Sequence, residues 1–176
     1  MGDPPIPPPR RVVTGHDQQG HSVVLSDGTS PRSHSLPDAR FHEIWSTPAS
    51  PAPIAARDRD DPASGPITVP PEARGTRVRF VDFSANAVSP THRTQTVDYG
   101  VVVSGRVSLL LDDGSETLLE AGDIVVQRGT DHAWANRSDG VSRMLFVLVD
   151  GAFDEELKAG LPAGALERLF DHALDE

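Results

Sequence analysis

The chain contains no cysteine. That excludes disulfides, thiolate catalysis and cysteine-based zinc sites. It has no apolar run approaching the ~20 residues that a membrane-spanning helix needs. The opening residues, MGDPPIPPPRR, hold no apolar stretch of the kind a secretory signal requires, so none is expected. Ile6 stands where a myristoylation signal carries Ser or Thr. Basic charge is also scarce: the net charge is −10. Phosphate neutralisation needs a basic stripe, so nucleic acid is not an expected partner. No glycine fingerprint for dinucleotides, no phosphate loop and no internal repeat is present. A cytoplasmic protein that binds neither membrane nor nucleic acid is the expectation.

The 176 residues suit one domain of ordinary size. Residues 1–10 are proline-rich and read as a disordered tail. Residues 11–75 read as N-terminal strands and a long loop packed on the main body. RRVVTGHD and HSVVLSDG are β-branched runs that form a hairpin. Residues 26–40 read as a polar loop, FHEIWS (41–46) as a strand, and 47–75 as a Pro/Ala/Asp-rich loop. From Thr76 to Asp150 the pattern changes to many short runs, TRVRFVDF, TVDYGVVV, RVSLLLDD, ETLLE, DIVVQ, HAWAN and SRMLFVLVD, separated by turn signals. That spacing predicts an all-β sandwich or barrel. Residues 151–176 read as short helices. Acidic residues 154–156 favour a helix start, and Leu166, Leu169, Phe170 and Leu174 recur at helical spacing.

One stretch within the barrel region is chemically unusual. His92, Thr94, Thr96 and Asp98 occupy every second position, so on a strand they share one face. Further along, His132, Trp134 and Asn136 share a face of another strand. If both faces line one interior, two imidazoles and a carboxylate meet there. That is the ligand set of a facial triad with open coordination positions. Tyr99 has the opposite parity and is expected outside. Of His42 and Glu43, at most one points inward.

These two stretches resemble the paired motifs of the cupin superfamily, small antiparallel jelly-roll barrels. His92 matches the first motif's leading His, Asp98 stands in place of its Glu, and Gly105 matches its closing Gly. Thr94 occupies the position of the second His. In the second motif Gly122, Gly129, His132 and Asn136 match, while Arg128 replaces a Pro in a loop one residue shorter. The resemblance covers about residues 76–150. It implies a jelly-roll barrel and a divalent metal (Fe, Zn, Mn or Ni) held by His92, Asp98 and His132. It also implies a homodimer formed by packing sheets or exchanging N-terminal strands.

The expected catalytic groups are Asp98 and His132, which move a proton, with Thr94 holding a metal-bound water. Thr96, Arg128, Trp134 and Asn136 are the candidate substrate contacts. Three functions fit these residues: a metal-assisted isomerase, lyase or dehydratase acting on a small organic metabolite; an Fe(II) dioxygenase; and a metal-free cupin that binds a small ligand.

Overall fold

A computed structural model describes residues 6–56, 60–171 and 174. The tail expected over residues 1–10 falls outside it for residues 1–5, as does the helical reading at His172, Asp175 and Glu176. Among the described residues, eleven strands and one helix follow in order. The first two, β1 (Arg10–His16) and β2 (Ser22–Thr29), pair as the expected hairpin. Then come β3 (Arg32–Ser35), β4 (Ala39–Thr47), β5 (Thr76–Phe83), β6 (Thr96–Ser104), β7 (Arg106–Leu111), β8 (Glu116–Glu120), β9 (Ile124–Arg128), β10 (His132–Ala135) and β11 (Ser142–Asp150). All pairings are antiparallel.

Six strands form one sheet in the order β3-β4-β5-β11-β6-β9, and three form a second in the order β10-β7-β8. The core lies between these two sheets. Val81 and Phe83 of β5, Val102 of β6, and Met144, Phe146 and Leu148 of β11 face Val107, Leu109, Leu119 and Trp134 of the smaller sheet. Strand alternation explains the choice of residues. On β5 the odd positions point in, and on β6 and β11 the even ones do. Tyr99 accordingly points out and is 43% exposed.

Two motif glycines are required by backbone geometry. Gly105 has φ +75° in the turn from β6 to β7, and a Cβ there would collide with Ser142, whose hydroxyl accepts from Arg106 N at 3.1 Å. Gly129 has φ +60°, and a Cβ there would meet the ring of Phe153. Both turns deliver strands that carry site residues.

Two expectations are corrected. Residues 26–40 are not one polar loop: β2 runs to Thr29 and β3 pairs with β4 through Arg32↔Glu43 to Ser35↔Arg40. Polar residues succeed there because an edge strand has a solvated face. At the C-terminus, helix α1 (Glu155–Gly160) begins at Asp154, whose carboxylate accepts from Leu157 N. It ends where Gly160 and Pro162 interrupt it. Residues 163–168 are turns rather than a continued helix. Beyond them the backbone bonds to the barrel, with Phe170 N donating to Arg93 O at 2.8 Å and Leu174 N to Ile67 O at 2.7 Å. Phe170 and Leu174 pack against the barrel without a helix to carry them.

Candidate active site

The barrel encloses a cavity of about 340 Å³. Its wall is mostly apolar: Phe41, Val81, Phe83, Trp134, Phe146 and Leu148 line it, and Phe170 and Leu174 cap one side. The polar residues that line it include Arg79, His92, Thr94, Asp98 and His132. A mostly apolar hollow with a few converging polar groups is the usual form of a small-molecule site.

The two imidazoles are fixed by backbone. His92 and His132 exchange reciprocal hydrogen bonds, His92 N to His132 O and His132 N to His92 O, each 2.9 Å. That isolated bridge sets the side chains next to each other, with ring centroids 4.3 Å apart. Arg93 holds the His92 segment down: it pairs with Asp131 at 2.9 Å and donates to Gly129 O at 2.8 Å. The Nδ1 of His92 lies 3.0 Å from Pro90 O, and the Nδ1 of His132 lies 3.0 Å from Thr130 O. At His92 the carbonyl only accepts, so Nδ1 carries the proton and Nε2 keeps its lone pair. At His132 the same nitrogen meets both the Thr130 carbonyl and the Gln127 amide Nε2, an acceptor and a donor. Burial depresses both imidazoles. His132 falls to about 4, with the neighbouring His92 adding to the effect, and His92 is lowered chiefly by burial. Both are therefore neutral donors at physiological pH.

Asp98 is 6% exposed. Its Oδ1 has no hydrogen-bond partner. Burial lifts the carboxyl to about 6, against the opposing pull of the Thr96 hydroxyl and the Arg79 charge. The Thr94 and Thr96 hydroxyls are 2.7 Å apart. Since Thr96 directs its hydrogen to Asp98, Thr94 is the donor between them.

A divalent metal fits part of this arrangement. Two neutral imidazoles, each anchored at Nδ1 by a carbonyl, are a donor pair of the kind transition metals take. Asp98 does not join them. Among the described residues no three His, Asp or Glu side chains converge on one point. In place of the three-donor set expected from sequence, the fold provides two imidazoles with a separate carboxyl in the same cavity. The reason is positional: His92 is held by its bridge to β10, whereas Asp98 sits on β6 opposite Leu148 and Gln127, within the field of Arg79.

The remaining candidates divide. Trp134 lines the cavity, its ring 5.5 Å from His132 and 5.4 Å from Phe146. Thr96 is buried behind Thr94 and touches the ligand space only through it and Asp98. Arg128 is corrected: it is exposed and borders a separate small hollow with Phe153 and Leu157. Its position at the end of β9 turns it away from the barrel. Asn136 is also corrected. It is fully buried, and its amide donates to the carbonyls of Phe83, Ser84 and Gly140 while Ser138 donates to its oxygen. It holds loops together and has no free atom for a substrate.

Sequence reasoning missed Arg79, Glu43 and the cap. Arg79 is 2% exposed. The signal was available, because Arg77 and Arg79 share the inward parity of Val81 and Phe83 in TRVRFVDF. Glu43 is the inward residue of the His42/Glu43 pair and lies between the two arginines. His42 faces the other way, bonded to Ser33 and Asp82 outside the cavity. Nothing local in sequence announces that Phe170, whose ring lies 5.6 Å from that of His92, reaches the cavity mouth.

Comparison with known proteins points one way. A family model described as "Cupin domain" matches residues 79–148. Phomopsin biosynthesis cluster protein C' of Diaporthe leptostromiformis is 35% identical over 161 residues, covering 84% of this chain and 81% of that protein. The cupin-domain-containing oxidoreductase fogC of Aspergillus ruber is 36% identical over 145 residues, covering 80% and 71%. The cupin-domain-containing oxidoreductase srdD of Neurospora crassa is 33% identical over 169 residues, covering 92% and 85%.

Proposed function

The chain belongs to the cupin domain family, and on that premise we propose that it is an enzyme of small-molecule metabolism with Asp98 as its proton-transfer group. The observation that carries this reading is a buried carboxyl on the wall of an apolar cavity, lifted to about 6, one of whose oxygens has no hydrogen-bond partner. A base poised near neutral pH has the correct protonation state and still drives proton transfer. Apolar walls exclude water and strengthen each polar contact made inside. The substrate is a compact, largely apolar molecule with a few oxygens, seated against Trp134, Phe41 and Phe146. Thr94 and Thr96 orient Asp98. The capping residues Phe170 and Leu174 separate the reacting atoms from solvent.

His92 and His132 would hold a divalent metal, and when bound it would polarise a substrate oxygen. Their neutral, carbonyl-anchored state supports that assignment. Proton transfer at carbon gives an isomerase, and where the resulting carbanion expels a β-hydroxyl as water or another leaving group it gives a dehydratase or lyase. A second reading, oxidoreductase, is favoured by the names of the relatives in Aspergillus ruber and Neurospora crassa. In that reading the imidazole pair would hold a redox-active metal, which would supply the electron transfer, and Asp98 handles the accompanying proton.

The test is hydrogen exchange at carbon. Compact aromatic and alicyclic ketones and enones are incubated with the protein in D2O and followed by proton NMR. The reading expects enzyme-dependent deuterium incorporation that Asp98→Asn reduces by about 100-fold or more. Exchange at equal rates with both proteins refutes the role of Asp98.

A further inference from the structure

The inner wall of β4 and β5 holds a charge arrangement that the proton-transfer reading does not use. Arg77 and Arg79 both turn to one carboxylate, Glu43. Arg77 Nη1 donates to Glu43 Oε2 at 3.1 Å. Arg79 Nε lies 3.0 Å from Glu43 Oε1, yet the approach is off line, and neither atom makes a hydrogen bond. Arg79 Nη2 donates to Thr68 O, and the guanidinium rests 5.8 Å from the Phe41 ring. All three charged side chains are buried, Glu43 and Arg79 at 2% exposure. Of the two arginines, Arg79 lines the cavity.

Burying ions is costly unless each is paired and its hydrogen-bonding groups are used. Here two guanidiniums share one fixed carboxylate; Arg77 Nε makes no hydrogen bond, and Arg79 Nε has only its off-line ion pair with Glu43 Oε1. Of the other titratable groups around the cavity, only Asp98 can add a second anion. His92 and His132 are neutral. Asp38, at the mouth, is exposed to solvent. Asp98, ionised above about pH 6, offsets part of the Arg79 charge, and no hydrogen bond joins them. A planar guanidinium on the wall of an apolar hollow matches a carboxylate better than any neutral oxygen.

We infer that the cavity takes its substrate as a carboxylate, with the anionic group on Arg79 and the apolar body against Phe41, Trp134 and Phe146. This rests on the reading of the cavity as a substrate site and adds the class of substrate. It also makes Arg79 the residue that selects acids over their neutral analogues. The selected acid sets its reacting carbon on the side of Asp98 and the imidazole pair.

Isothermal titration of the full chain with trans-cinnamate and cinnamamide, and with 3-phenylpropanoate and its amide, tests the proposal. Each acid is expected to bind at least about tenfold tighter than its amide. Arg79→Met removes that preference while amide binding persists, which also shows that the variant is folded. Should Arg79→Met fail to fold, Glu43→Gln provides the second arm. Relieving Arg79 of its competing anion is expected to tighten acid binding and leave amide binding unchanged. Equal affinity for acid and amide, a preference that survives Arg79→Met, a Glu43→Gln variant that binds acids no better, or no acid binding up to millimolar concentration overturns it. Asp98→Asn separates the two ideas. Retained acid preference with lost deuterium exchange leaves Arg79 in its role and confirms that of Asp98. Acid preference alongside unchanged exchange refutes only the proton-transfer reading.

Discussion

Replacing Asp98 by Asn is expected to reverse part of the pH dependence of stability. The folded carboxyl titrates at about 6 and the unfolded one near 3.8. Between those values the folded state holds the extra proton. The carboxyl's contribution to stability is therefore complete below pH 3.8 and lost as pH rises through 6. A gap of about two pH units, at 1.36 kcal/mol per unit, comes to about 3 kcal/mol. Asn carries no such penalty. Its fixed cost, an amide with an unpaired N–H, is independent of pH and cancels when one pH is compared with another. The imidazoles act in the opposite sense. Their depressed values give stability that is present above 6.5 and lost as pH falls through about 4 for His132, in both proteins alike. Urea unfolding of metal-free wild type and Asp98→Asn between pH 3.5 and 8 measures the difference. The variant should gain about 3 kcal/mol on the wild type from the acid end to pH 8, with most of the change between pH 4 and 6.5. A constant difference, or a wild type that gains on the variant as pH rises, refutes the argument.

Further outcomes follow from the same geometry. Trp134→Ala removes a buried ring packed on His132 and Phe146 and should cost about 3–5 kcal/mol in urea unfolding. Asn136→Ala removes the side-chain bonds to the Phe83, Ser84 and Gly140 carbonyls and to Ser138, and should cost about 3 kcal/mol by the same assay. His92→Ala should abolish any stoichiometric retention of Fe, Zn, Mn or Ni by the purified protein, read by elemental analysis, since it halves the donor pair. The outward faces of β6 and β9 pair Tyr99 with Val126 and Val101 with Ile124, and Tyr99, Val103, Ile124 and Val126 are exposed. We propose that a second copy covers this apolar face. Light scattering should then give twice the 18.8 kDa chain mass, falling to a monomer in Val126→Lys.

Much of this fold was legible because alternation is a local signal. The runs from TRVRFVDF to SRMLFVLVD each became a strand, and their parity correctly separated Asp98 from Tyr99. His92 and His132 met as expected even though His92 precedes β6 and is held by a two-residue bridge. What sequence hid was non-local. Arg128 looked available because motif spacing placed it beside the site, but its strand end faces solvent. Asn136 looked polar and free, but its amide is consumed by carbonyls from two other loops. The parity of Arg79 in TRVRFVDF points inward, but alternation alone does not say what a buried cation would pair with. Only the pairing Glu43↔Arg79 across β4 and β5 turned it into a buried cation. Phe170 reads as part of a helical stripe, and its place at the cavity mouth depends on a backbone bond to Arg93.

The central claim is that Asp98 is a proton carrier held near neutrality inside the cavity. Carbon-13 NMR of protein labelled at the aspartate carboxyl carbons tests it directly, with the Asp98 signal assigned by its loss in Asp98→Asn. That signal should titrate near pH 6, well above the other aspartates. A carboxyl that titrates below 4 would contradict the account.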